Sequence, residues 1–316
     1  MNKEHYRKFC KLEKNIPVFS RDWWLDAVCG EDNWDICLVE KDNKILGSLP
    51  YYNYKKFGYT FLSMPPLTPY LGPQLFLDDS IDNLSLEKQI NILTDLISQL
   101  PKYNFFNQSF NPNVINWLPF YWAGFRQTTR YTYFISRNNT EEYLWNNFRG
   151  RVRRNIRKAQ NKYFLEVGES DDIEKFYSLN KLTFTRNKMK MPYNLSLISR
   201  IDAACKQHKC RKIYMVTNSQ NEIFGAIYVI WDEYTTYYLM GGNDPELINS
   251  GASSLLLWEA IKFSIKEGRN FDFEGSMLPG VEKYFRGFNP DLREYHRIYK
   301  ANSFLLSLYL ANKSGF

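Results

Sequence analysis

Apolar residues fall along this chain in two rhythms. Short runs of β-branched and aromatic residues predict strands, and longer stretches with an apolar residue at every third or fourth position predict helices. The clearest series occupies the second half. Residues 223–231 and 235–242 are strand-like runs separated by a turn at Asp232 and Glu233, and they predict a hairpin. A polar loop, 243–251, precedes a helix over 252–267 that Gly268 closes, because glycine takes the left-handed conformation of a helix end without steric cost. A strand over 271–275 and a short helix over 281–288, ended by Pro290, complete the series.

The first half repeats that order. Residues 17–28, with Trp23, Trp24 and Leu25, predict a short helix with an aromatic face. Strands are expected at 36–39 and 45–49, joined by a turn at Asp42 and Asn43, and again at 59–63. The Pro- and Gly-rich segment 64–73 cannot be regular structure. Leu93, Leu96, Ile97 and Leu100 share one face of a helix over 85–100. Strands at 103–110 and 130–136 follow, the second expected to end the first half. Hairpin, third strand, amphipathic helix and a strand opening on Asn-Phe (Asn104 and Phe105, Asn270 and Phe271) thus occur twice. A shared order of five elements is harder to reach by chance than one hairpin, so the reading is two copies of one α/β domain, 1–139 and 140–316. Helices are also expected at 171–190 and 194–207, broken at Met191 and Pro192, then a strand at 213–216. A strand at 293–301 and a short apolar helix at 304–310 end the chain.

The copies differ in charge. Where the second carries Asp272 and Glu274, the corresponding residues of the first are Phe106 and Gln108. Residues two apart in a strand share a face, so the two carboxylates are expected on one side and Phe271 and Phe273 on the other. Unpaired carboxylates are costly to bury, so these either line a cleft or meet cations.

A second charged feature lies between the halves. Thr140 is a plausible cap for a basic helix over 140–162, with Glu141 and Glu142 suited to its first turn. Phe148, Val152, Ile156 and Ala159 form a narrow apolar stripe along it. Beside the stripe run Arg149, Arg153 and Arg157, with Arg151, Arg154 and Lys158 on a further face. No acid interrupts 149–162, and its seven cations equal the formal net charge of the whole chain, +7. Solvated helix faces normally mix signs, so this cluster suits phosphate or neutralises acids elsewhere in the fold.

Composition narrows the field less. The 316 residues suit two domains, and 44% hydrophobic with 24% charged residues is ordinary globular material. No apolar run approaches the roughly 20 residues that span a bilayer, and no apolar stretch follows the charged N-terminus, so a cytoplasmic protein is expected. Five cysteines without CxxC spacing fit reduced thiols. Cys205, His208 and Cys210 lack a fourth ligand nearby, so they are read as a coincidence on a helix surface and no metal is expected.

Several of these segments carry a family resemblance. They are 153–159 (Arg-Arg-Asn-Ile-Arg-Lys-Ala), Gly241-Gly242-Asn243-Asp244 followed by 255–261, the 271–275 strand, and 280–288 with its Phe285-Arg286. The Phe19 to Trp24 opening and the Leu71-Gly72-Pro73 loop fit as well. In this order they resemble the double-GNAT acyltransferases, namely the Fem aminoacyl transferases of the bacterial cell wall and related FemAB-like acetyltransferase-domain proteins. The resemblance covers nearly the whole chain. It implies an α/β (α+β) fold of two tandem GNAT-like domains, each a mixed, largely antiparallel sheet flanked by helices. It also implies transfer of an acyl or aminoacyl group to an amine or hydroxyl, with acyl-CoA or aminoacyl-tRNA as co-substrate. A cell-envelope precursor is the acceptor class it suggests.

Two departures stand out. The loop that would hold a CoA pyrophosphate, 247–252, has one glycine, Gly251, although the amides from Ser250 through Gly251 and Ala252 to Ser253 suit an anion. The family's Phe-Lys is Phe285-Arg286, and arginine cannot act as a base near neutral pH. The expected chemistry is direct acyl transfer. Asp272 or Glu274 would take the acceptor's proton, and Arg286 with amides near Gly241 and Gly242 would stabilise the oxyanion. Tyr238 and Tyr284 would position the acceptor. Arg149, Arg153, Arg154, Arg157 and Lys158 would hold substrate phosphates, a role compatible with tRNA and with peripheral membrane association. The rival reading is a non-catalytic protein that binds RNA or an anionic surface through the basic helix.

Overall fold

The computed structural model describes residues 2–76, 86–303 and 306. The expected helix at 304–310, and Ser85 at the start of the 85–100 helix, lie outside these. The chain forms two compact units, Met1–Arg130 with Glu294–Phe316, and Tyr131–Arg293.

The first unit opens with α1 (Asn2–Leu12) and α2 (Asp22–Cys29). Next come β1 (Trp34–Lys41), β2 (Lys44–Lys56), β3 (Tyr59–Ser63) and the short β4 (Gln74–Leu75). Then follow α3 (Leu86–Ser98), β5 (Phe105–Ser109), α4 (Leu118–Trp122) and β6 (Arg126–Ile135), within which the unit boundary falls. The β1–β2 turn is left-handed at Asp42 and Asn43, residues that tolerate this conformation through their short polar side chains. Leu93 and Leu96 of α3 bury against Leu49, Leu62 and Phe106, the contact the helical periodicity anticipated.

The second unit continues with α5 (Glu141–Asn147), α6 (Gly150–Tyr163), β7 (Glu166–Ser170), α7 (Ile173–Arg186) and α8 (Leu195–Gln207). Then come β8 (Arg211–Thr217), β9 (Ile223–Trp231), β10 (Thr235–Asn243) and α9 (Ala252–Lys266). β11 (Asn270–Asp272) and α10 (Pro279–Phe285) complete this unit, and β12 (Asp291–Ala301) belongs from Glu294 onward to the first.

The repeat is real at the level of strand sense. β1, β2 and β3 are antiparallel neighbours, and β3 runs parallel to β5. β8, β9 and β10 are antiparallel neighbours, and β10 runs parallel to β11. Each parallel pair is bridged by an amphipathic helix, α3 or α9, as a parallel connection requires. The last strands trade places with respect to the expectation. β6, expected to end the first half, pairs through Phe134 and Ile135 with β11, whereas β12 pairs with β5.

Three further expectations are revised. The basic helix does not run unbroken from 140 to 162, because Phe148 and Arg149 are extended (ψ 142° at each) and separate α5 from α6. Thr140 does cap α5, its Oγ1 accepting from Tyr143 N at 3.1 Å. Cys205 and Cys210 are buried inside the unit rather than set on a helix surface. The strand expected at 271–275 stops at Asp272, with consequences for the site.

Candidate active site

β10 and β11 pair only over Thr235–Tyr237 and Asn270–Asp272. β10 then continues to Asn243 on its β9 side, through a bulge between Tyr238 and Met240, while β11 ends. A wedge therefore opens from Tyr238 onward. A bulge next to such a separation turns side chains away from the regular alternation.

The turn after β11 explains where the two carboxylates go. Asp272 is fully buried, and its Oδ1 accepts from Thr132 Oγ1 of β6 at 2.6 Å and from the Glu274 amide at 2.8 Å. That second bond closes a tight turn in which Glu274 and Gly275 are both left-handed, at φ 57° and 58°. A Cβ on Gly275 would lie 2.2 Å from the Tyr131 carbonyl oxygen, so only glycine fits there. A left-handed glutamate costs about 1–3 kcal/mol, a strain that tends to persist at functional sites. The carboxylates therefore do not share one face of a strand. Asp272 clamps the turn, and the turn aims Glu274.

Glu274 is half-buried, yet its Oε1 is shielded from solvent and has no hydrogen-bond partner. Burial, and then the neighbouring Asp272, push its carboxyl well above the usual carboxylate range. The Tyr238 hydroxyl lies against Gly241, where an added Cβ would sit 2.1 Å from it. Burial and the charge of Glu274 push this phenol up to about 12, so it stays protonated at neutral pH. Tyr284 OH meets Ser254 Oγ at 3.3 Å in the first turn of α9. The rings of Tyr238 and Tyr284 lie 6.1 and 5.9 Å from that of Phe285, so one aromatic floor carries both hydroxyls.

Four contributors had not been singled out from the sequence. Thr132 holds Asp272, as above. Asn180 of α7 donates through Nδ2 to the Gly241 carbonyl at 2.7 Å and accepts at Oδ1 from Tyr193 OH at 2.9 Å. Asn180 thereby links Tyr193 to Gly241 on the open edge of β10, and burial raises the Tyr193 phenol. Asn155 of α6 reaches Ser254 Oγ through Nδ2 at 3.5 Å. Tyr193 stands immediately after the Met191-Pro192 break and Asn155 lies within the 153–159 segment that carries the resemblance, whereas Thr132 and Asn180 left no trace in the sequence.

Other predicted residues sit elsewhere in this unit. Arg286 is half exposed and ion-paired to Glu282 at 2.9 Å, and the same carboxylate oxygen accepts from Tyr133 OH at 3.0 Å. The α9 N-terminus is covered. Ser250, Gly251, Ala252 and Ser254 are buried, and a Cβ on Gly251 would lie 2.1 Å from the Asn155 carbonyl oxygen of α6. Ser250 Oγ accepts from the Ala252 amide at 3.3 Å, and Ser253 Oγ donates to Asn243 Oδ1 at 2.9 Å.

α6 turns its stripe of Val152, Ile156 and Ala159 into the core beside Phe148. Its N-terminus is tied down by the Arg149 amide, which donates to the Gly287 carbonyl at 2.9 Å. Arg149, Arg151, Arg154 and Arg157 are exposed, and Arg153 and Lys158 partly so. Lys158 Nζ donates to the Asn249 carbonyl at 2.6 Å, and Arg157 stacks 5.5 Å above the Trp145 ring. Among the described residues no carboxylate forms an ion pair with any of these cations, so they do not neutralise Asp272 or Glu274. Among the described residues no group of three or more His, Cys, Asp or Glu is placed to hold a metal ion.

Residues 146–286 match the family model described as Acetyltransferase (GNAT) domain. The whole fold is similar to that of FemX, with a TM-score of 0.72 at 14% identity over 99% of this chain and 98% of that one. It is also similar to the C-terminal domain of a putative lysylphosphatidylglycerol synthetase from Agrobacterium fabrum, with a TM-score of 0.56 at 9% identity over 99% and 96%. L-PGS from Bacillus licheniformis gives a TM-score of 0.51 at 11% identity over 91% and 90%. No curated protein sequence matches significantly.

Proposed function

We propose that this chain is a FemAB-like double-GNAT acyltransferase, a reading supported by the GNAT domain match over 146–286 and the FemX-like fold, and that the wedge between β10 and β11 is its transfer site, with Glu274 the base and aminoacyl-tRNA the donor. The supporting observation is the contrast between α9 and α6. The residues at the start of α9, where a GNAT enzyme would hold a CoA pyrophosphate, are buried beneath α6. α6 itself offers exposed arginines with no carboxylate partner, which suit a polyanionic donor better than a single pyrophosphate.

In the proposed step the acceptor's amine attacks the donor carbonyl. A nitrogen–carbon bond forms, the carbon–oxygen ester bond to the donor breaks, and the amine's proton passes to Glu274 and on to the leaving oxygen. A carboxyl held above its ordinary range is a better base at neutral pH than a solvated one. Tyr238, Tyr193 and Tyr284 orient the acceptor, and protonated Tyr238 is a donor to the developing oxyanion. Asp272 acts through Glu274 and is a positioning residue. Arg286 keeps its assignment as an oxyanion or phosphate ligand only if substrate displaces Glu282. An acceptor from the cell envelope is in keeping with the names of the similar proteins, FemX and lysylphosphatidylglycerol synthetase.

The test is a thermal-shift titration with acetyl-CoA, a long-chain acyl-CoA and bulk charged tRNA. A ligand at about 100 times its dissociation constant stabilises by roughly 2.7 kcal/mol. The expected result is a saturable, salt-sensitive shift with tRNA that weakens in Arg154→Gln/Arg157→Gln. A saturable shift with a thioester, insensitive to that double substitution, would return the donor assignment to CoA.

A further inference from the structure

The first unit carries a surface feature that acyl transfer does not explain. From Asn111 to Phe125 the chain has no charged residue. Pro119 and Phe120 of α4 and the following Phe125 point inward, and Phe120 packs 5.0 Å from Phe110 and 5.2 Å from Phe125. The opposite side is open. Ile115 is 80% exposed, Tyr121 and Trp122 60% each, and Leu118 40%. Ile115, Leu118 and Tyr121 line one shallow depression of about 410 Å³ with Asn116 and Trp117. None of the candidate-site residues lines it.

Singly exposed apolar side chains are ordinary, but a contiguous uncharged group of aliphatic and aromatic residues needs an occupant. Its rim suggests which. Lys300 Nζ donates to the Ala123 carbonyl at 2.7 Å, at the end of α4, and Arg126 is exposed just beyond. His296, 6.4 Å from the Trp117 ring, adds no charge at neutral pH, because burial lowers its imidazole against the opposing effect of Glu294. Tryptophan and tyrosine over a rigid apolar base, edged by cations, are suited to the headgroup level of a bilayer.

We propose that the α4 face, Ile115, Leu118, Tyr121 and Trp122 with Arg126 and Lys300 at its edge, docks the protein on an anionic phospholipid surface. The apolar side chains enter the headgroup–acyl boundary, and the two cations meet lipid phosphates. A protein partner matched to the same face would need its own apolar patch, and nothing at this rim favours one. The proposal is independent of the donor assignment, since vesicle binding requires no substrate.

The experiment is co-sedimentation of the full chain with vesicles of phosphatidylcholine alone and of three parts phosphatidylcholine to one part phosphatidylglycerol. Wild type is expected to partition onto the anionic vesicles. Tyr121→Ser/Trp122→Ser should lower partitioning at least about tenfold, the order expected for two interfacial aromatics. Arg126→Gln should lower it about fivefold, on anionic vesicles only. Both variants change exposed side chains and should melt like wild type by circular dichroism. Brominated lipid should quench tryptophan fluorescence in wild type and much less in the double variant. Failure of wild type to bind either vesicle overturns the proposal. So does binding that survives the double variant but is lost in Arg154→Gln/Arg157→Gln, because α6 would then be the membrane contact. A dimer in sedimentation velocity that the double variant abolishes would instead assign the face to a second copy of the chain.

Discussion

β5 and β11 hold the same place in their two units, each parallel to the third strand of a meander and each following an amphipathic helix, yet they end in opposite chemistry. β5 is buried from Phe105 to Ser109, and its polar residues are neutral. Gln108 Nε2 donates to the Pro50 carbonyl at 2.9 Å, and the strand runs its full length. β11 stops at Asp272, whose carboxylate draws in the Thr132 hydroxyl and the Glu274 amide and bends the chain into a left-handed turn. A neutral amide can be buried with its Nε2 on a passing carbonyl and its Oε1 unpartnered while the strand stays regular, whereas a buried carboxylate draws converging donors, and backbone geometry changes to supply them. The second unit is thus distinguished from the first by the turn that its first carboxylate enforces.

The largest test of that contrast is Glu274→Gln. It should cut turnover about 10²–10⁴-fold with the fold intact, the range for loss of a general base. Gln108→Leu should leave turnover per folded molecule unchanged and lower only stability. Loss of turnover in Gln108→Leu would break the comparison. The pH profile carries the same information. Wild-type kcat/KM should rise with pH through a limb above the ordinary carboxylate range, and Glu274→Gln should lack that limb. Stability follows the opposite sign. A carboxyl raised in the folded state stabilises fully below the unfolded value near 4.3, and this is lost as pH climbs through the folded value. Glu274→Gln should therefore gain on wild type in melting temperature from pH 5 upward.

Next in size is backbone fit. Gly251→Ala should destabilise by about 2–4 kcal/mol, because φ is 92° and the new Cβ meets a backbone carbonyl of α6. In the first unit, an added Cβ on Gly47 would meet the Ile92 Cγ2 methyl at 2.5 Å, Leu96 Cδ1 at 3.3 Å and the Gln74 carbonyl oxygen at 3.4 Å, but its φ is not left-handed and its one severe contact is with a side chain, so Gly47→Ala should cost less, about 1–2 kcal/mol by urea unfolding. Equal costs would mean that α6 does not lock the α9 N-terminus.

Asp272→Asn sharpens the division of labour. Removing its charge removes the secondary cause of the raised Glu274 carboxyl, so the acidic limb should move to lower pH while turnover falls only about tenfold. A loss as large as that of Glu274→Gln would make Asp272 the base. The smallest effect belongs to Lys158→Met, which deletes the bond to Asn249 O and should cost about 1 kcal/mol in stability.

Much of this was legible in the sequence. The hairpins, α3, α9 and the strand bounds 59–63 and 223–231 follow from apolar period and turn residues, which act locally. The buried stripe of α6 and the one-signed run of cations beside it were likewise local properties, whereas only the structure showed that no carboxylate among the described residues pairs with those cations. The resemblance to double-GNAT acyltransferases rested mainly on segments of the second unit, with Phe19 to Trp24 and Leu71-Gly72-Pro73 from the first.

What only the tertiary structure decided depends on residues far apart in the chain. Alternation within a strand put Asp272 and Glu274 on one face, but the donor that ends the strand, Thr132, is 140 positions away. Local pattern could not tell that β6 closes on β11 and β12 on β5, because either pairing buries the same side chains. Nor could it tell that Asn155 would cover Gly251, since a close backbone approach leaves no mark beyond a single glycine. The sequence by itself determined the elements, the repeat and where charge accumulates. The tertiary structure alone determined which carboxylate is held away from solvent without a partner and which anion site is covered, because burial and desolvation belong to the packed chain.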